Sequence, residues 1–109
     1  MIVGAYFFAP SLLSGVPSDK AKLSIRFVNI PAETPTDLTI QAWVDDVPVS
    51  YTGSFTEPLS TSHSLRIVAT HPDGSIYAIY NRMFTVPDTT GSYALELDAN
   101  IGTLTVVSL

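Results

Sequence analysis

The sequence contains no cysteine. Disulfide staples and thiolate metal sites are therefore excluded outright, and packing has to supply the stability. A cysteine-free chain fits a reducing compartment. Charge is also scarce. Charged residues make up 14% of the 109 positions, against roughly 25% in an average globular protein. The five basic residues, Lys20, Lys22, Arg26, Arg66 and Arg82, form no run, and the net charge is −5. Phosphate backbones and anionic membrane surfaces need clustered positive charge, so both are poor partners for this chain. No Asn-X-Ser/Thr site occurs: Asn29, Asn81 and Asn100 are followed two positions later by Pro31, Met83 and Gly102. Nothing asks for eukaryotic secretory glycosylation. No Gly-X-Ser-X-Gly elbow, phosphate-cradling glycine loop or dinucleotide fingerprint is present.

An apolar period of 3.6 residues over ten or more positions is missing too, and with it any expectation of a helix. The period that recurs is two. In residues 22–27, Leu23, Ile25 and Phe27 alternate with Lys22, Ser24 and Arg26. The same alternation runs through residues 37–45, 64–70, 92–98 and 103–108. Such segments are strands with one face on a core and one toward solvent. Turn residues punctuate them. Pro72-Asp73-Gly74 lies between two apolar runs, and Asp73-Gly74 supplies the positive φ angles of a tight hairpin. Asp45-Asp46 marks a second hairpin, whose returning segment contains Pro48 and is therefore an edge strand or very short. Asn100-Ile101-Gly102 links the last two strands, and residues 10–20, 31–35 and 87–91 read as connections.

Seven to nine short strands without helices predict an all-β fold, an antiparallel β-sandwich of immunoglobulin-like or jelly-roll-like type. Residues 43–49, Trp-Val-Asp-Asp-Val-Pro-Val, resemble the strand–turn–strand corner of immunoglobulin-like and transthyretin-like domains. One domain is expected. Residues 1–20 form an apolar strand or docking arm plus a connection, and residues 21–109 form the sandwich. The apolar start, residues 1–9, lacks the basic flank of a signal peptide and is too short to span a bilayer.

No pattern selects a catalytic centre. His63 and His71 stand at the two ends of one strand, roughly 25 Å apart if it is straight, and read as solvated strand-end residues unable to share a metal. Asp45-Asp46 is the one adjacent acid pair. Turns select aspartate for backbone hydrogen bonding, and no Asp-X-Asp-X-Asp run supports calcium. Neither an enzymatic role nor a cofactor is expected. The aromatics are more informative. Trp43 falls on the polar side of its strand, Tyr77 and Ile79 make residues 75–80 apolar on both faces, and Tyr6, Phe7 and Phe8 are consecutive. Rings of this kind either pack under a second layer of the chain, stack on sugars, or anchor a protein interface.

With so few charges the surface must be built from Ser, Thr, Tyr and apolar atoms, which suits a subunit in an assembly. The expectation is a non-enzymatic structural protein. Its partner would be a protein, either a capsid or sister subunits, as for a small virion component such as a phage capsid decoration (cement) protein assembled in the host cytoplasm. The candidate interface is Tyr6, Phe7, Phe8, Trp43, Tyr77 and Ile79. The alternative is a monomeric, extracellular binding module, carbohydrate- or adhesin-like.

Overall fold

The computed structural model describes residues 18–109. Eight strands follow one another: β1 (Lys20–Val28), β2 (Thr39–Val44), β3 (Val47–Val49), β4 (Ser54–Pro58), β5 (Ser62–Thr70), β6 (Ile76–Thr85), β7 (Gly91–Asp98) and β8 (Leu104–Ser108). No helix occurs among the described residues. The strands form two four-stranded sheets, ordered β4-β1-β7-β8 and β3-β2-β5-β6. The period-two segments supply the buried faces. Ala21, Leu23 and Ile25 of β1 are buried while Lys22 and Arg26 are exposed. Leu95 and Leu97 of β7, Ala42 and Val44 of β2, Leu65 and Ile67 of β5, and Phe84 of β6 join them in one apolar cluster. Both sheets therefore contribute to a single core.

Strand pairing is not antiparallel throughout. β1 and β7 run parallel in register from Ala21↔Gly91 to Val28↔Asp98. All other pairs are antiparallel. Hairpin signals in the sequence cannot reveal a pairing between segments about seventy positions apart. The sequence pattern also does not single out β4. In Ser-Phe-Thr-Glu-Pro only Phe55 is an aliphatic or aromatic core former, so no period is visible. The expected strand within residues 2–8, and with it Tyr6, Phe7 and Phe8, lies outside the described residues.

The two hairpins close differently. Asp45 and Asp46 both take positive φ, 50° and 65°, and Val44 pairs with Val47. That is the two-residue turn whose twist matches flanking strands. β3 is three residues long, contains Pro48 and is a sheet edge, in line with the sequence. At the β5–β6 connection only Gly74 is left-handed, at φ 89°. Its N–H donates to His71 O at 2.9 Å, and His71 N–H donates to Ser75 O at 2.8 Å. The loop is thus a three-residue Pro72-Asp73-Gly74 turn. Asp73 Oδ1 accepts from Ser75 N–H at 2.9 Å, which holds it.

A Cβ on Gly74 would meet no atom within 4 Å. The cost of a side chain there is purely conformational. Gly74→Val should therefore lower stability by roughly 1–2 kcal/mol, and Gly74→Asn by less. Leu95→Ala, at a fully buried position, should cost about 2–5 kcal/mol. Urea denaturation followed by circular dichroism measures both.

Candidate functional site

Three features outside the core are candidates: a pocket at one end of the sheets, the outer face of the second sheet, and a histidine cluster at the opposite end. The pocket, about 430 Å³, opens where the C-terminal ends of β1 and β5 meet the N-terminal ends of β2 and β6. Phe27, Tyr51, Tyr77 and Tyr80 provide rings, and Ile30, Pro31, Pro35 and Leu38 from the β1–β2 connection close one side. Phe27 packs against Tyr51 at 5.7 Å and Tyr80 at 6.1 Å between centroids. No charged side chain lines it. Burial raises the Tyr51 phenol above its ordinary pKa. The chemistry on offer is stacking plus hydrogen bonds from tyrosine and threonine hydroxyls.

Tyr77 reaches this pocket because of a register shift. The β5–β6 ladder slips between Ala69 and Thr70, so Ala69 pairs with Ala78 but Thr70 pairs with Ile76. Tyr77 is the extra residue. A bulge re-aims side chains, and Tyr77 lines the pocket with Ala78 and Tyr80 while meeting His71 edge-on at 5.5 Å. Strict alternation, which sets Tyr77 beside Ile79, fails at this point.

Trp43 and Ile79 do share a face. Register places Pro48, Trp43, Arg66 and Asn81 in one row across the second sheet, Gln41, Val68 and Ile79 in the next, and Ser64 beside Met83. These residues alternate with the core members and so face away from the core. The Arg66 guanidinium lies 4.8 Å from the Trp43 ring centroid, which shields the half-buried indole. Val68 is only 7% exposed, whereas Ile79 is 49% and Met83 68% exposed. The sequence reading missed Met83 because β6 extends five residues beyond Tyr80. It missed the pocket because its walls come from five separate segments.

The histidine cluster overturns the solvated strand-end reading of His63. Its side chain is 12% exposed and packs on Phe84 at 5.6 Å. Nδ1 lies 2.5 Å from Asp45 Oδ2, and Nε2 lies 2.7 Å from Thr61 Oγ1 and 3.6 Å from Glu57 Oε1. The order Asp–His–Thr has the outline of a nucleophile triad, but its protons run the other way. Thr61 Oγ1 donates its single proton to Pro58 O at 2.6 Å, so it accepts from Nε2–H. His63 then ties the β2–β3 turn to β4 in the other sheet and is not arranged to take a proton from Thr61.

Asp45 also accepts from Ser64 N–H at 3.0 Å. The His63 hydrogen bond, then that of Ser64, holds its carboxyl below the usual range. Asp73 is lowered by Ser75, and Asp98 by Asn29 and by the backbone N–H groups of Ile101 and Asn100. A carboxylate with a lowered folded pKa stabilises the fold above its unfolded pKa and stops doing so as pH falls through the folded value. Stability should therefore be level near neutrality and decline below about pH 4, as thermal melts across pH 2–7 would record. His63→Ala should cost about 1–3 kcal/mol, since it removes a side chain that is 12% exposed, packs on Phe84 and hydrogen-bonds Asp45 and Thr61.

No protein-family model, curated protein or solved structure matches the chain.

Proposed function

We propose that this chain is a non-enzymatic assembly protein acting through protein–protein contacts, in its most concrete form a small virion component such as a capsid decoration protein. The observation that carries the reading is the row of exposed apolar side chains on β6. Ile76, Ile79 and Met83, together with partly exposed Tyr77, stand on a strand at the margin of its sheet. A chain with 14% charged residues has little with which to screen such a row, and apolar area of this kind is stable when another protein covers it. On this reading the two sheets, which share one core, pack as a β-sandwich. An immunoglobulin-like ancestry draws support from Tyr93, whose hydroxyl donates to Thr89 O at 2.5 Å, as in the tyrosine corner of such domains.

A second reading is supported by the pocket. Its rings and hydroxyls suit a small, mostly apolar or sugar-like ligand, as a monomeric extracellular binding module would require. Solution mass separates the two. Sedimentation velocity of the full chain should show species larger than a monomer. Ile79→Lys should raise the dissociation constant about ten-fold or more while leaving the circular dichroism spectrum unchanged. A chain that stays monomeric at every concentration would rule out sister subunits as the partner and shift the weight toward the binding module.

A further inference from the structure

Sheet edges are where a β protein meets other strands, and natural chains normally blunt them with short length, proline or charge. Among the described strands, β3 has three residues and Pro48. β4 has five residues and carries Glu57 and Pro58. β8 also has five. β6 is different. It is ten residues long, contains no proline, and has one charged residue, Arg82. That side chain is occupied within its own chain: Nε donates to Gly102 O at 2.6 Å and Nη1 to Asn81 O at 2.7 Å. Each carbonyl keeps a second lone pair.

Among the described residues β6 pairs with β5 on one side and borders no other strand of its sheet, while part of it runs beside β8 of the other sheet. The backbone groups on its free side are open to water or to an added strand. We propose that the added strand is β6 of a second copy, in an antiparallel two-fold pair centred on Asn81. This rests on the assembly reading and names its partner. The register follows from the side chains. With Asn81 opposite Asn81 of the second copy, Ile79 of each copy faces Met83 of the other, so these two exposed side chains are covered in both copies, while Ile76 falls opposite position 86, just beyond the strand. The lone charge on each strand, Arg82, falls opposite Tyr80 of the second copy, an aromatic partner rather than a like charge. A one-residue shift to either side removes this match, because it sets Ile79 against a residue of the opposite face. Self-pairing by β6 converts two four-stranded sheets into one continuous eight-stranded sheet.

The absence of cysteine allows a direct test in the full chain, because any introduced thiol has only its own copies to react with. Directly paired Cα atoms lie about 4.5–5.5 Å apart, within disulfide reach. Asn81→Cys should therefore form a disulfide-linked dimer under mild oxidation. Ile79→Cys alone should not, since the two copies of position 79 are offset by four residues, about 13 Å along the strands. Mixing Ile79→Cys chains with Met83→Cys chains should restore cross-linking. Equal cross-linking at all three positions, or a stronger reaction of Ile79→Cys with itself, overturns the register. No cross-link from Asn81→Cys in a chain that sediments as an oligomer overturns the β6 pairing and leaves the assembly reading standing. A wild-type chain that is monomeric throughout removes the β6 pairing together with the sister-subunit form of the assembly reading.

Discussion

The parallel pairing of β1 with β7 is the constraint around which the rest of the fold is arranged. Two adjacent parallel strands cannot be joined by a tight turn, so a long crossover must carry the chain from one end of the sheet back to the other. Here the crossover is residues 29–90, and it contains the whole second sheet together with β4. Leu23 and Ile25 on β1 lie beside Leu95 and Leu97 on β7. Those four side chains belong to the same buried cluster as Ala42, Val44, Leu65 and Ile67 of the second sheet. The second sheet is thus part of the connection that the parallel pair requires, and it adds its own apolar residues to the shared cluster. Formation of the pair closes a loop of about seventy residues. Its entropic cost is met only when the second sheet is also in place, which makes the core a cooperative unit.

The two ends of the molecule differ in kind because of where that crossover leaves and re-enters. At the end where β1 finishes, the chain wanders through Ile30, Pro31, Pro35 and Leu38 before β2 begins, and the gap it leaves is the ring-lined pocket. At the other end the turns are tight and polar. Asp45 sits in a two-residue turn that aims its carboxylate at His63, and His63 reaches Glu57 on the opposite sheet. The first end also carries the hydrogen-bonded Pro72-Asp73-Gly74 turn and the Asn29–Asp98 contact but leaves the pocket open beside them, whereas the second is fastened through His63. The apolar margin of β6 runs between them, which is why a contact made along it need not disturb either end.

Low charge has a further consequence for the edges. A sheet margin is protected when charge or proline lies on it, and this chain has few charges to distribute. Those it has are largely engaged. Arg26 pairs with Glu96 across β1 and β7, Arg66 covers Trp43, and Arg82 turns toward Gly102. Glu57 and Pro58 guard β4, and Pro48 guards β3. β6 carries a single charge, Arg82, along its ten residues and no proline, so the longest of the described strands is thinly defended for its length.

Much of this was legible in the residues themselves. Alternation at period two is imposed by the pleat, so Leu23, Ile25, Leu65, Ile67, Leu95 and Leu97 announce both strand and buried face. The turn chemistry of Asp45-Asp46, Pro48 and Pro72-Asp73-Gly74 marks the two hairpins and the short edge strand, because φ limits act within a few residues. Alternation places Trp43 and Ile79 on the face away from the core, and the register agrees, whereas Tyr77, which the same alternation sets beside Ile79, lines the pocket. What only the tertiary structure decided shares one physical reason: it depends on which distant segments lie side by side. The parallel β1–β7 register, the pairing that makes a strand of Ser54–Pro58, the slip that sends Tyr77 into the pocket, the five segments that form its walls, and the partners of His63 all arise between positions far apart in the chain. A local pattern carries the geometry of its own backbone, and it holds no record of the neighbour that tertiary packing brings against it.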